Sequence, residues 1–439
     1  MVYTPAALVA LFLWLLWGDF AWAMRDRSVG PMASWYLSHL GVSSLLFGIL
    51  LSSFPSLIGL ILGPTISFIS DRHRGRRGRR IPFLLITTPL SAVGMIGLGL
   101  TPLLAKQVHI LLPTQSETVV ALVCFGVFWA AFEFASIASQ SIFGALINDV
   151  VPRELLGRFY GLFRAVSLID GIIFNFWIMG KVPVHYTLIL IVLGAFYGVA
   201  FLLVCFKIKE GDYPPPPAAE PVGGSIVKGF GSGVQTYFQE CFKNPYYLLV
   251  FVMMTFAGLS FIPINTFSIP YAASVGVDME LYGKWMAITF GISLALSFFL
   301  GWLADLFHPI RMAMVFLAAY VLVGAWGAFS AKTSETFLVA WVLHIVVSGC
   351  YFTSAASLSL RLYPQAKFAQ FASAGGILGS VGNIIISPVV GSMIDLSGKS
   401  YNLSFAAGGF FALVALVTAI LVYRRFVKLG GPKNYVAPD

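Results

Sequence analysis

The groups best suited to chemistry are a few charges set inside apolar runs: Asp19, Arg25, Asp26, Arg27, Glu133, Arg164 and Asp170. Placing a charged side chain at the centre of a bilayer costs about 2.5–3.5 kcal/mol on insertion scales. Such a group therefore lines a cavity, finds a partner or binds a proton. Glu133 is the clearest case, because Phe125 to Ile147 carries no other charge. Burial and a nearby arginine compete for its protonation state, which suits a proton carrier. A static ion pair holding spans one, four and five together is the other reading. Arg164 lies deep enough to pair with one of these carboxylates.

Asp19 lies in Trp17-Gly-Asp-Phe-Ala-Trp22. A carboxylate accepts hydrogen bonds from paired hydroxyls, and an indole face such as Trp22 stacks on the apolar face of a pyranose. Asp19 is thus a candidate sugar ligand, with a helix-packing charge pair as the alternative. Arg25, Asp26 and Arg27 are about 100° apart on a helix, so they cannot all face one cavity. One is expected to face inward and the others to lie near the outer interface. Asp170, in the outer third of its span, reads as gating or structural. The second half offers neutral groups instead: Asn265, Tyr271, Trp285, His344, Tyr351 and Asn383. Together these suit a neutral, hydroxyl-rich solute, although a lone His344 is more often a satisfied helix contact.

Other chemistries lack their residues. The six histidines (39, 73, 109, 185, 308, 344) form no HxxxH or HxxE pattern, and no GxSxG occurs. Cys124, Cys205, Cys241 and Cys350 are scattered without metal-ligand spacing and read as buried free thiols. An enzyme, a metal site and a cofactor are not expected.

These groups are positioned by membrane helices. Of 439 residues, 58% are apolar and only 10% charged, with a net charge of +9 and a mean hydropathy of +0.87. Soluble domains carry roughly 25% charged residues, so the apolar surface here must face lipid. A crossing helix needs about 20 mostly apolar residues. That length fits at 6–34, 43–69, 81–104, 118–147, 159–180 and 186–206, then at 246–272, 281–304, 311–331, 335–360, 370–394 and 402–424. The first run lacks a basic flank and a cleavage site, and is expected to be a retained helix. Basic residues concentrate in alternate loops, six of them in Arg72 to Arg80. Only Lys106, Lys181, Lys332 and Lys399 fall in the opposite loops. This bias predicts cytoplasmic termini and speaks against nucleic acid as a partner.

Residues 1–206 and 246–424 thus form two six-helix bundles. They are joined by a cytoplasmic linker, 207–245, with Pro214 to Pro217 and Gly223, Gly224, Gly229, Gly231 and Gly233, and are followed by a tail, 425–439. The aromatic stretch from Val234 to Phe242 suits a membrane surface. The halves echo each other: Ser67-Phe-Ile-Ser-Asp71 against Gly301-Trp-Leu-Ala-Asp305, and Pro152 with Phe159 against Pro364 with Phe371.

Segment 71–83, Asp-Arg-His-Arg-Gly-Arg-Arg-Gly-Arg-Arg-Ile-Pro-Phe, resembles the loop between helices two and three of the major facilitator superfamily. Its Gly78-Arg79-Arg80 ending is most similar to the glycoside–pentoside–hexuronide and sucrose-transporter branch. The Gly301-to-Asp305 element resembles the second-half motif, whereas the first-half copy has Ser67 in place of glycine. Glu133, Gln140, Ala145-Leu146 and Asp149 resemble a sucrose-transporter pattern whose first position is an aspartate.

The resemblance implies an all-α integral membrane protein with the major facilitator fold: 12 transmembrane helices in two six-helix bundles around a central cavity. It implies a secondary active transporter, expected to be a proton-coupled symporter of a sugar or glycoside. Glu133 and Arg164 would couple the proton. Asp19, Trp22, Gln140, Asn265, Tyr271, His344 and Asn383 would bind the solute. Asp71, Arg72, Arg79, Arg80, Asp149, Arg158, Gly301 and Asp305 would form a conformational latch. Residues 42–70 contain no Asp or Glu, which favours protons over the sodium used by melibiose-type relatives. The expected location is the cell (inner) membrane, as a multi-pass monomer in the lipid bilayer. The open alternatives are another carrier, of a uronate or other organic anion, a nucleoside or an exported drug, and a transporter-like sensor.

Overall fold

The computed structural model describes residues 4–211, 213 and 239–438, which form helices and, among the described residues, no strand. The proline run 214–217, the linker glycines and residues 234–238 lie outside the described residues. The first half contains α1 (Pro5–His39), α2 (Ser44–Arg72), α3 (Ile81–Leu111), α4 (Glu117–Val150), α5 (Leu156–Ile173) and α6 (Val182–Lys207). The second contains α7 (Pro245–Ser274), α8 (Met279–Phe307), α9 (Pro309–Ser330), α10 (Ser334–Ser354), α11 (Phe368–Leu396) and α12 (Leu403–Lys428). Local chemistry sets several starts. Thr4 accepts a bond from Ala7 N at 3.3 Å and Pro5 opens α1, while Ser116 and Asn244 cap α4 and α7.

Residues Leu156–Lys207 make one helical run of 52 residues. At 1.5 Å per residue that is about 78 Å, more than twice the hydrocarbon thickness. A π-turn at Phe174–Ile178, a 3₁₀ turn at Met179–Lys181 and non-helical angles at His185 interrupt it. Both α5 and α6 pack on α1, so the run crosses twice. With α8 crossing as a bent pair, the expected twelve spans are accounted for.

Two compact units emerge, each drawing one short segment from the other half of the sequence. Unit 1 holds the N-terminal helix and the chain from Phe54 through α6 and takes Asp278–Phe290; unit 2 holds α7 and the helices from Gly291 onward and takes Ser43–Ser53. The second helix of each half is therefore divided in the same way. In α2 the division falls at a π-turn, Ile49–Ser53, just before Pro55. Proline has no N–H to offer Leu51 O, and the wider turn absorbs that loss. Within unit 2, a methyl on Gly391 would meet Ser44 O at 2.3 Å; within unit 1, one on Gly283 would meet Asn175 O at 2.3 Å.

Small residues also set the packing inside unit 2. A methyl group on Gly324 of α9 would lie 2.5 Å from Gly409 Cα on α12, so these backbones touch directly. Gly126 of α4 has open space around it. Gly324→Leu is expected to destabilise the protein by about 1–3 kcal/mol or more, read as a lower melting temperature in detergent. Gly126→Leu should leave that temperature unchanged.

Candidate functional site

The densest polar cluster lies at the arginine-rich end of unit 1. Asp149, on the last turn of α4, accepts a two-point bond from Arg79, Nε to Oδ2 at 3.0 Å and Nη2 to Oδ1 at 2.6 Å. It also accepts Arg80 Nε at 3.2 Å and Tyr213 Oη at 3.2 Å. Arg80 turns back to Ser70 and Asp71 at the end of α2. One carboxylate thus holds Arg79 in the preferred two-point geometry and Arg80 through a single further bond. The hydrogen bond that Arg79 donates to Asp149 raises the Arg79 pKa above its ordinary value.

The start of α3 is fixed by a residue 130 positions away. Arg80, its N-cap, makes no side-chain cap bond. Instead Glu210, just past α6, accepts the backbone N–H groups of Arg79, Arg80 and Ile81 at 2.9, 2.8 and 2.7 Å. A carboxylate here satisfies orphan donors and meets the positive end of the helix dipole. Tyr213 Oη donates to Glu210 at 2.6 Å, and Arg79 lies 4.2 Å from the Tyr213 ring centroid. Burial, then the Glu210 hydrogen bond, raises the pKa of the Tyr213 phenol above its usual range.

Of the expected latch residues, the structure joins Asp71, Arg79, Arg80 and Asp149. Arg72 lies over Phe68 at 3.6 Å, and Arg158 is exposed without an ion pair among the described residues. In unit 2, Asp305 accepts Arg361 at 3.0 Å, while a methyl on Gly301 would meet nothing within 4 Å. Glu210 and Tyr213 were missed. Their only sequence signal is an acid and an aromatic just after span six.

Deeper in unit 1 the charges separate by face. Arg25, 3% exposed, stacks over Trp22 at 3.8 Å and donates to Tyr197 Oη at 3.3 Å. Arg27 donates to Ser167 of α5 at 3.1 Å and faces Phe290 at 5.2 Å. Asp26 is exposed. Two of the triplet therefore turn inward rather than one, because α1 has neighbours on both sides: α6 meets one and α5 the other. Among the described residues, none of the seven intramembrane charges closes an ion pair.

Glu133 is partly exposed and makes no hydrogen bond among the described residues. Arg25 and Asp26 are the charges that act on it. Arg164 is exposed and acts on Arg27. Asp19 and Asp170 are enclosed, and their four oxygens accept no hydrogen bond. Trp22 is buried against Phe143 and Phe201. Gln140 is exposed and without a hydrogen bond among the described residues.

Unit 2 holds a neutral relay. Asn265 Oδ1 can only accept, so His344 carries its proton on Nε2, 3.0 Å away. His344 Nδ1 then accepts the Tyr320 hydroxyl at 2.6 Å. This buried histidine holds Asn265, itself exposed, with its amide N–H groups directed outward from the relay. Tyr271 is buried and donates to Ala331 O. Asn383 Oδ1 accepts Ser52 Oγ at 2.6 Å.

At the end of unit 2, His308 caps α9: its Nδ1 accepts Ile310 N at 3.3 Å, and its backbone sits at φ 74°. Burial, with the charges of Arg361 and Arg311, pushes its pKa down to about 4.

Comparison with known proteins gives a consistent relationship. The family described as MFS/sugar transport protein matches residues 6–366. A fungal relative, "MFS transporter asaE" of Aspergillus flavus, is 23% identical over 243 residues, 54% of this chain and 51% of that protein. The chain thus spans about half the length of the curated relative it matches. A bacterial homologue of the human lysosomal transporter Spinster, in an inward-facing form, superposes over 100% of both chains with a TM-score of 0.71 at 14% identity. A D-xylose–proton symporter superposes over 95% of this chain and 96% of its own, with a TM-score of 0.63 at 12% identity. At these identities the solved structures share the fold.

Removing Asp149 takes the two-point partner from Arg79 and one of two carboxylates from the nearly buried Arg80. Asp149→Ala is expected to cost about 3 kcal/mol or more, and Glu210→Ala about 1 kcal/mol as a lost cap. Asp71→Ala should cost less than about 1 kcal/mol, since Asp71 is 53% exposed. Melting temperatures in detergent should fall in that order.

The His308 shift predicts a pH dependence with a definite sign. Below its ordinary value of 6.5 the unfolded chain takes up a proton that folded His308 refuses until about pH 4. Stability from this group is therefore complete above pH 6.5 and lost as pH falls toward 4. His308→Asn tolerates a positive φ and still caps α9. It should flatten the melting-temperature slope between pH 6.5 and 4 without lowering the value at pH 7.5.

Proposed function

The chain belongs to the MFS/sugar transport protein family, a group of major facilitator transporters, and we propose that it is a proton-coupled symporter of a neutral sugar or glycoside. The observation that carries this reading is Glu133: a carboxylate on a membrane helix with no ion pair among the described residues, while Arg25 is held by Trp22 and Tyr197. A carboxylate without a fixed partner is free to exchange a proton. An arginine locked in an aromatic cage supplies a constant field without quenching it.

In this reading Glu133 is the carrier and Arg25 sets its field. Within unit 1, Gln140 offers an amide to sugar hydroxyls. Within unit 2, Asn265 offers another, with His344 and Tyr320 fixing its orientation. Asn383 is a further amide ligand in unit 2. Asp19 and Trp22 act from within unit 1, and Tyr271 from within unit 2, by shaping the surface around these ligands. The latch of Asp71, Arg79, Arg80 and Asp149 stabilises one state of the alternating-access cycle. The arginine-rich end faces the cytoplasm, and the chain works as a monomer in the cell membrane. The glycoside and sucrose branch supplies the cargo class.

A second reading rests on Arg164. It is exposed and closes no ion pair among the described residues, as a ligand for an organic anion such as a uronate would be.

Uptake into proteoliposomes separates these readings. With an inward proton gradient, wild type should accumulate a neutral sugar above equilibrium. Glu133→Gln should lose accumulation while retaining sugar-for-sugar exchange. Accumulation that survives collapse of the proton gradient would reject proton coupling. Uptake restricted to uronates, and lost in Arg164→Gln, would favour the anion reading.

A further inference from the structure

A cavity of about 550 Å³ opens beside the clamp, at the arginine-rich end of unit 1. Its volume is within the roughly 300–1,000 Å³ of small-molecule sites. Arg74, Arg76 and Arg77 line it from the α2–α3 loop, and Lys209 from just beyond α6. Its one acid among the described lining residues, Glu210, already accepts three backbone N–H groups and Tyr213. The cations are less committed. Arg74 donates to the carbonyls of Asp71 and His73 at 2.7 and 2.8 Å. Arg76, Arg77 and Lys209 are exposed and make no hydrogen bond or ion pair among the described residues.

From this cavity, we propose that unit 1 carries a binding site for a phosphate group, filled by the headgroup of an anionic phospholipid. Position argues for the lipid over a soluble phosphate. The site lies where α6 ends, and Phe206 at its rim is 56% exposed, with Arg77 5.3 Å from its ring centroid. An exposed phenyl ring on the last turn of a membrane helix belongs in hydrocarbon, so the polar groups just beyond it lie at headgroup level. Arginine and lysine just above it then meet phosphate rather than acyl chain.

Unit 2 provides an internal contrast. A cavity of about 520 Å³ at the end of α12 is lined by His308, Arg361 and Tyr435. Its arginine already bonds Asp305 at 3.0 Å, and its histidine stays neutral above about pH 4. Among the described residues this cavity has no further cation, and it is expected to bind no headgroup.

The test is native mass spectrometry of the full chain in mild detergent, titrated with phosphatidylglycerol, phosphatidylcholine and inorganic phosphate. Wild type should retain phosphatidylglycerol over phosphatidylcholine. The variant Arg76→Gln/Arg77→Gln/Lys209→Gln should bind it about tenfold or more weakly. Arg76→Lys/Arg77→Lys should largely preserve binding, which separates charge from a folding defect. Arg424→Gln/Arg425→Gln removes two exposed cations near the end of α12 and should change nothing. Equal displacement by millimolar inorganic phosphate would keep the phosphate site but reject the lipid as its source. Equal phosphatidylglycerol retention by wild type and the triple variant, or an equal loss in Arg424→Gln/Arg425→Gln, would overturn the site.

Discussion

Hydrocarbon offers no hydrogen bonds, so every polar group within the spans must be satisfied by the protein. The helices meet this for the backbone, and small hydroxyls meet it by bonding carbonyls one turn back. Ser28 reaches Arg25 O, Thr87 reaches Phe83 O, Thr101 reaches Gly97 O and Ser260 reaches Ala257 O. These residues are polar in name and self-contained in practice. Subtracting them leaves groups whose needs are not met locally, among them Asp19, Glu133 and Asp170, with Arg25 and Arg27 beside them.

The clamp obeys the same constraint at the edge of the spans. Helix ends leave backbone donors open, and a Gly78-Arg79-Arg80 turn has no side chain that caps α3. Glu210 fills that role from the far end of the unit, and Tyr213 ties Glu210 to Asp149. The end of α2, the start of α3, the end of α4 and the exit of α6 are therefore one hydrogen-bonded assembly. Among the described residues, unit 2 has the Arg361–Asp305 pair at its corresponding motif, with Asp305 78% exposed. An ion pair so open to solvent contributes little. The first half is the more firmly bonded of the two at this motif.

Span number and helix type were legible because about 20 apolar residues in sequence have few other uses. Asp71, Arg79, Arg80 and Asp149 were legible through spacing and resemblance. Glu210 was not, since its partners are backbone groups, which leave no trace in residue types. The Arg25 cage was hidden for a related reason: Trp22 is one turn away, but Tyr197 is 172 positions on. Only the packing of α6 against α1 brings it there. The division of α2 and α8 between the two units was also invisible. It depends on close backbone approach at Gly48, Gly391 and Gly283 and on the Phe290 ring against Gly171, and glycine in a membrane helix has many possible reasons. His344, conversely, was readable as a helix contact, and its bonds to Tyr320 and Asn265 fit that reading.

The placement of Glu133, Gln140 and Asp149 on α4 bears on how proton and solute can influence one another in the proposed cycle. Seven residues separate Glu133 from Gln140, close to two full turns, so both lie on one face about 10 Å apart along the axis. Asp149 is nine residues beyond Gln140, half a turn out of phase, and faces the clamp. Charges on one helix move as a single body. A change in charge at Glu133 therefore acts on Gln140 by field, without contact, while α4 itself links that face to Asp149. Low dielectric strengthens the field term and the rigid helix preserves the geometric one. Unit 2 then needs no titrating group, and its neutral relay through Tyr320, His344 and Asn265 has only to hold one amide in place.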